Sequence, residues 1–302
     1  MNKFILFLII PFLILASCKN QQNESDFSKE FAVPDSVLHE GELEISQQAM
    51  DEIVQNVSSP VEMAALIKSL GVPFSKNHLA TTDYVDSYNT NYQKALGLGI
   101  FGADLGYLNM YNKTSTVIDY ITAIKTLADG LRVGQFFDFT TLKRLATNNE
   151  NLDSLMYISV QNFNRMDQYL RESNRSNLSS LIIAGIWIES MYLVGEVTRQ
   201  NPSPELVEKI GEQKIILANL MLILKNYEQD PKFKDLVDDF RDIQALYKDV
   251  TITYEKGEPV AVEEDGMLVI QQNDKSIVDI SDEQVFMIID KTAEVRNNII
   301  NR

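Results

Sequence analysis

Gly97-Leu98-Gly99-Ile100-Phe101-Gly102 is the stretch whose reading decides the fold. Its letters are those of the glycine-rich turn that, in an α/β protein, joins a strand to a helix beneath a pyrophosphate. Such a turn requires a strand before it, and the preceding residues do not alternate. Val85, Tyr88, Tyr92 and Leu96 instead recur at three- and four-residue spacing, which predicts a helix over about 83–112 that contains the whole motif. Gly99, Gly102 and Gly106 then fall at i, i+3 and i+7, a stripe without side chains along which a second helix could approach closely. The expectation is helix packing and no nucleotide cofactor.

The same periodicity continues outward from the motif. It predicts helices at about 115–131, 150–172, 176–200, 204–228 and 231–249. Ser203-Pro204 and Asp230-Pro231 are cap-plus-proline starts. Ser59-Pro60-Val61-Glu62 is a capping box ahead of a short helix that Gly71 closes. From Val250 the texture changes. Val250 to Tyr254, Met267 to Ile270 and Ile277 to Ile280 are rich in β-branched and alternating residues, and Lys256-Gly257, Asp265-Gly266 and Asn273-Asp274 supply turn chemistry between them. Ser281-Asp282-Glu283-Gln284 then opens a closing helix, 282–300, with Val285, Ile288, Ile289 and Val295 on one stripe. The expected fold is mainly α: a helical bundle over 41–302 with a small β-hairpin or meander near 250–280 packed on it. No 34- or 40-residue repeat stands out. One faint internal echo sets Gly99, Asp104 and Tyr107 against Gly185, Glu189 and Tyr192, with the acid and the tyrosine one residue out of register.

Lys3, the apolar run Phe4 to Leu15 and the small residues before Cys18 have the layout of an export signal. Leu15-Ala16-Ser17-Cys18 matches a lipobox, so residues 1–17 are expected to be cleaved and Cys18 to be acylated, with the bilayer as its partner. Residues 18–40 are polar without sustained period and read as a flexible tether. No uninterrupted apolar run after the signal reaches the ~18 to 20 residues that span a bilayer.

Cys18 is the one cysteine, which leaves an acylated chain without thiol, disulfide or thiolate ligand. The formal charge of −16 would be repelled by phosphate backbones, so nucleic acid is not expected as a partner. His39 and His78 lie in polar segments outside any metal-binding spacing and read as surface or loop histidines, and no metal site is expected. A G-x-S-x-G elbow is absent from the sequence.

Two acids stand out. Asp104 is the only carboxyl or base between Ala95 and Met110, as is Glu189 between Leu178 and Gly195. Helices this apolar are central ones, and an acid inside them requires a partner or a raised pKa. One reading pairs each acid with a base or hydroxyl such as Lys125, Arg132, Arg165 or a tyrosine. The other makes Asp104 and Glu189 the polar floor of a ligand pocket between helices, walled by Trp187, Tyr107 and Tyr192.

Ala95 to Tyr107 and Ala184 to Tyr192, with the lipobox and the closing helix, resemble a group of all-helical bacterial lipoproteins with lipobox signal peptides. The group carries no assigned activity, so the resemblance implies a place and not a reaction. Lys19-Asn20 lacks the aspartate that in some bacteria retains a lipoprotein in the inner membrane, which implies the outer membrane. The expected function is a non-enzymatic binding or scaffold module in the cell envelope, with a protein, glycan or small molecule as partner and no catalytic residue. The alternative is an envelope hydrolase or small-molecule-binding protein that uses Asp104 and Glu189.

Overall fold

A computed structural model describes residues 66–111, 113–146, 152–257, 260–264, 267–271 and 275–301. Cys18, His39, the tether and the box at Ser59 to Glu62 lie outside the described residues. The chain is built of eight described α-helices: α1 Asn91–Met110, α2 Thr114–Gly130, α3 Phe139–Ala146, α4 Leu152–Glu172, α5 Ser176–Gln200, α6 Pro204–Lys225, α7 Pro231–Leu246 and α8 Asp282–Asn301. Residues 66–69 form a further helical end, closed by Gly71 at φ 71°, the left-handed turn that glycine adopts without strain.

The caps set the boundaries. α1 begins at a Thr90–Gln93 capping box, eight residues later than its spacing predicts. Val85 and Tyr88 precede that box in a 3-10 turn and its cap, and they reach the core from there. A helical period was therefore satisfied without a helix. Ser203 accepts from the Leu206 N–H and Asp230 from the Lys232 N–H, each followed by proline in the first turn. At α8 the Ser281 hydroxyl accepts from the Gln284 N–H, but the Gln284 amide donates to the Leu246 carbonyl at the end of α7. Half of the expected box forms, and its other half satisfies an orphan carbonyl of a neighbouring helix.

α1 and α5 are the centre of the bundle. They pack on each other, with α2 against α1 and with α4, α6 and α8 against α5; α7 lies on α6 and α8. α5 is long and apolar enough to cross a membrane by length and composition, yet 89% of its most apolar window is buried within the fold. Its hydrophobicity is spent on neighbouring helices. Because Ser and Glu residues interrupt it, a search for unbroken apolar runs does not register it.

The β segment is a hairpin. Its strands are β1 Thr251–Glu255, β2 Val260–Glu264, β3 Met267–Gln271 and β4 Lys275–Asp279. β1 pairs antiparallel with β4, and β2 with β3 nests inside that pair. β2 was not foreseen from the sequence. The hairpin lies on α6, where Val278 packs against Gly211 and the Ser276 hydroxyl donates to Glu212. A Cβ on Gly211 would sit 2.2 Å from Val278 Cγ1, so this glycine is what lets the strand approach.

Candidate functional site

Gly97 to Gly102 lie wholly inside α1. A Cβ on Gly99 would meet the Ile182 carbonyl oxygen at 2.1 Å and the Ile186 nitrogen at 2.7 Å, and one on Gly185 would meet the Leu96 carbonyl oxygen at 2.3 Å. The two helices therefore touch backbone to backbone at reciprocal positions: Gly99 sits over Ile182 and Gly185 over Leu96, the same three-residue step on each side. The expected stripe is corrected here. A Cβ on Gly102 would meet nothing within 4 Å, and Gly97 is covered by the Tyr88 ring. Gly99 and Gly185 make the contact and Gly102 does not.

Moving forward from that crossing on both helices brings Asp104 beside Glu189, so α1 and α5 run parallel there and the echo in the sequence becomes adjacency in space. Both acids are 0% exposed. Glu189 is gripped by Arg296 of α8 through two hydrogen bonds, Nε to Oε2 at 2.8 Å and Nη2 to Oε1 at 2.7 Å. This fork-to-fork pairing is the geometry in which a buried guanidinium best offsets a carboxylate. The guanidinium also lies 4.2 Å from the centre of the Tyr192 ring, a cation–π contact. Burial works against its charge, but the paired Glu189 outweighs that effect and holds it protonated more firmly than an ordinary arginine.

Asp104 has a different environment. Its Oδ2 accepts the Ala80 N–H at 3.0 Å, while Oδ1 is buried with no donor in reach. Burial first, and then the neighbouring Glu189 carboxylate, push its carboxyl well above the usual carboxylate range; Arg296 and the Ala80 N–H oppose this only in part. That direction favours the protonated form of Asp104, whose O–H is a donor to the adjacent Glu189 side chain. The Tyr120 hydroxyl donates to the Ala80 carbonyl. Ala80, in the loop before α1, is thus pinned at its N–H by Asp104 and at its C=O by Tyr120 of α2.

The aromatic residues divide. Tyr192 joins the cluster under Arg296, and Tyr107 packs beside it, stacked on Phe74 at 5.5 Å with its hydroxyl accepting the Ser75 N–H at 3.2 Å. Trp187 does not join them. Its indole N–H donates to Gln213 of α6 at 3.0 Å and its ring packs on Phe240 of α7 at 5.3 Å. Two residues along a helix turn a side chain by about 200°, so Trp187 and Glu189 serve opposite sides of α5. The bases named from the sequence are elsewhere: Lys125 pairs with Asp129 at the surface, and Arg132 and Arg165 are exposed.

Arg296 was missed, although a signal existed. The stripe Val285, Ile288, Ile289, Thr292 and Val295 of α8 continues to position 296, and a base in an apolar stripe calls for a buried acid. His78 is a further correction. It is buried at 5% exposure in a 3-10 turn against the Gln200 amide, and burial lowers its pKa despite Glu196, so the ring is neutral at pH 7. Among the described residues no three His, Cys, Asp or Glu side chains gather as a ligand set. No family model matches the chain, and no curated protein or solved structure matches it either.

Proposed function

We propose that the chain is a lipid-anchored, non-enzymatic binding or scaffold module of the cell envelope, held to the outer membrane through acylated Cys18 by a tether at 18–40. One observation supports the non-enzymatic reading above others: the two acids that could form a catalytic pair are both sealed, and both oxygens of Glu189 are occupied by Arg296. A hydrolase built on them would need substrate and water to reach a carboxyl–carboxylate–guanidinium cluster closed by α1, α5 and α8. The same groups suit a structural use, because three helices and one loop are fixed by a single buried network. The partner is then met at the surface, as a protein, a glycan or a small molecule, and the acidic composition disfavours nucleic acid.

Two measurements on the full chain test this. Metabolic labelling with a palmitate analogue should mark wild type and not Cys18→Ala; an unlabelled wild type refutes the anchor. Chromogenic glycoside, ester and peptide substrates should give no turnover that depends on Asp104. Turnover that disappears in Asp104→Asn while the variant remains folded refutes the non-enzymatic reading.

A further inference from the structure

A second feature lies at the other end of the central helices. α1, α5 and α7 all begin around one open cleft of about 400 Å³. Asn91 in this cleft precedes Asp104 by thirteen residues on α1, which at 1.5 Å per residue puts the cleft roughly 20 Å from the buried acids. It is a separate site.

The cleft joins an apolar floor to two cations. Leu178 and Leu181 of α5 are buried at its base, and Tyr92 and Phe233 form an edge-to-face wall with ring centres 5.9 Å apart. Arg175 and Lys232 line the same space. The Arg175 guanidinium is steadied by donating one Nη2 hydrogen to the Leu131 carbonyl at 2.6 Å, which leaves the rest of its fork uncommitted. The Lys232 ammonium stands 5.9 Å from the Tyr92 ring centre. Among the described residues neither cation has a carboxylate within ion-pair distance, in a chain with 43 acids against 27 bases. Two bases without an ion-pair partner facing one concavity run against the charge of the whole protein. Asp230 also lines the cleft, but its carboxylate is engaged as the α7 cap, accepting the Lys232 N–H at 2.9 Å. The balance of side-chain charge in the cleft is one positive.

We propose that this cleft binds a small carboxylate ligand bearing an aromatic or branched apolar group, of the size of one or two amino-acid residues such as a peptide C-terminus. Arg175 forks the carboxylate, Lys232 adds charge at the rim, and the apolar group lies on Leu178 and Leu181 against Phe233. The volume falls within the ~300 to 1,000 Å³ of small-molecule sites, and a few polar groups over an apolar floor is their usual composition. The proposal rests on the binding-module reading and gives it a ligand class.

The test uses full-length chain in detergent, with N-acetylphenylalanine as the acid probe and N-acetylphenylalaninamide as its uncharged match, titrated by ligand-observed NMR. The acid is expected to bind saturably, the amide at least tenfold more weakly, and the difference to shrink as salt screens the charge. Lys232→Gln, an exposed position, should weaken the acid severalfold and leave the amide unchanged. Arg175→Gln should weaken the acid by tenfold or more, with Arg175→Lys restoring part of it if the fold is intact. Equal affinity for acid and amide, no saturable binding of the acid, or indifference to Lys232→Gln and Arg175→Gln in folded protein each overturns the proposal. Such a failure leaves the tether and the non-enzymatic reading standing, because those turn on labelling and turnover.

Discussion

Gly99→Ala and Gly102→Ala add the same methyl group three residues apart on one helix, and the structure assigns them opposite effects. Each substitution gains the helix propensity that alanine holds over glycine in a helix interior, about 1 kcal/mol. At Gly102 nothing lies within 4 Å of the new Cβ, so that gain is realised. At Gly99 the Cβ would stand 2.1 Å from the Ile182 carbonyl oxygen, a backbone atom that no rotamer change can move. Ordinary contact lies near 3.5 Å, so α1 and α5 would have to separate by roughly 1 Å or more along the central interface of the bundle. Overpacking of this kind costs about 1–3 kcal/mol, and a backbone clash at the main helix crossing belongs at or above the top of that range. The net loss is about 2 kcal/mol or more. For a domain of this size the melting temperature moves about 2–4 °C per kcal/mol, so Gly102→Ala should melt about 2–4 °C higher and Gly99→Ala at least about 4–8 °C lower. Calorimetry and urea unfolding of wild type and both variants measure this, with the urea slope expected to stay constant. If both variants shift in the same direction, or Gly99→Ala is as stable as wild type, the backbone contact between α1 and α5 is wrong, and with it the reason for glycine in the motif.

The buried ion pair gives a second test. Charge centres about 4 Å apart attract by about 4 kcal/mol at an effective dielectric of 20, against a desolvation cost of several kcal/mol per ion, so the pair nets little while its halves cost much. Arg296→Met should therefore lose about 3–5 kcal/mol, and adding Glu189→Leu should recover most of it; urea unfolding of both singles and the double closes the cycle, and simple additivity would contradict the pairing. Asp104→Asn should show a pH-dependent effect. Its carboxyl is held above the ordinary aspartate value of 3.8 in the fold, so between that value and the folded pKa the native state binds the extra proton and stability falls as pH rises, by up to about 1.4 kcal/mol per unit. The asparagine keeps an oxygen for the Ala80 N–H and a donor for Glu189 but cannot ionise. Relative to wild type it should thus become more stabilising as pH rises above about 4 until the folded pKa is passed, and a difference that is flat in pH would mean that the Asp104 pKa is not raised. Tyr120→Phe leaves the Ala80 carbonyl without its partner and should cost about 1–3 kcal/mol in the same assay, with a neutral result arguing that this loop is not pinned as described.

The sequence by itself determined most of what is local. Caps at Ser203, Asp230 and Ser281, the closing Gly71, the change of texture at Val250 and the helical setting of the glycine motif all rest on residues within one or two turns of each other, where backbone hydrogen bonds and propensities act. α3 is only eight residues long, about two turns, too short for a period to stand out, although Asp138 accepts the Thr141 N–H at 3.0 Å as its start signal. Two lone acids in apolar helices were also visible, since burying an ionisable group is costly anywhere. The tertiary structure alone decided who answers them. Arg296 lies 107 residues beyond Glu189, and Asp104 is met by Glu189 and the Ala80 N–H because Gly99 and Gly185 let two backbones touch one turn earlier. Which glycine of three makes that contact, and that Trp187 turns to Gln213 and not to the acids, depend on the angle at which helices cross. Side chains far apart in the chain contribute to that angle together, and no spacing rule within a single helix encodes it.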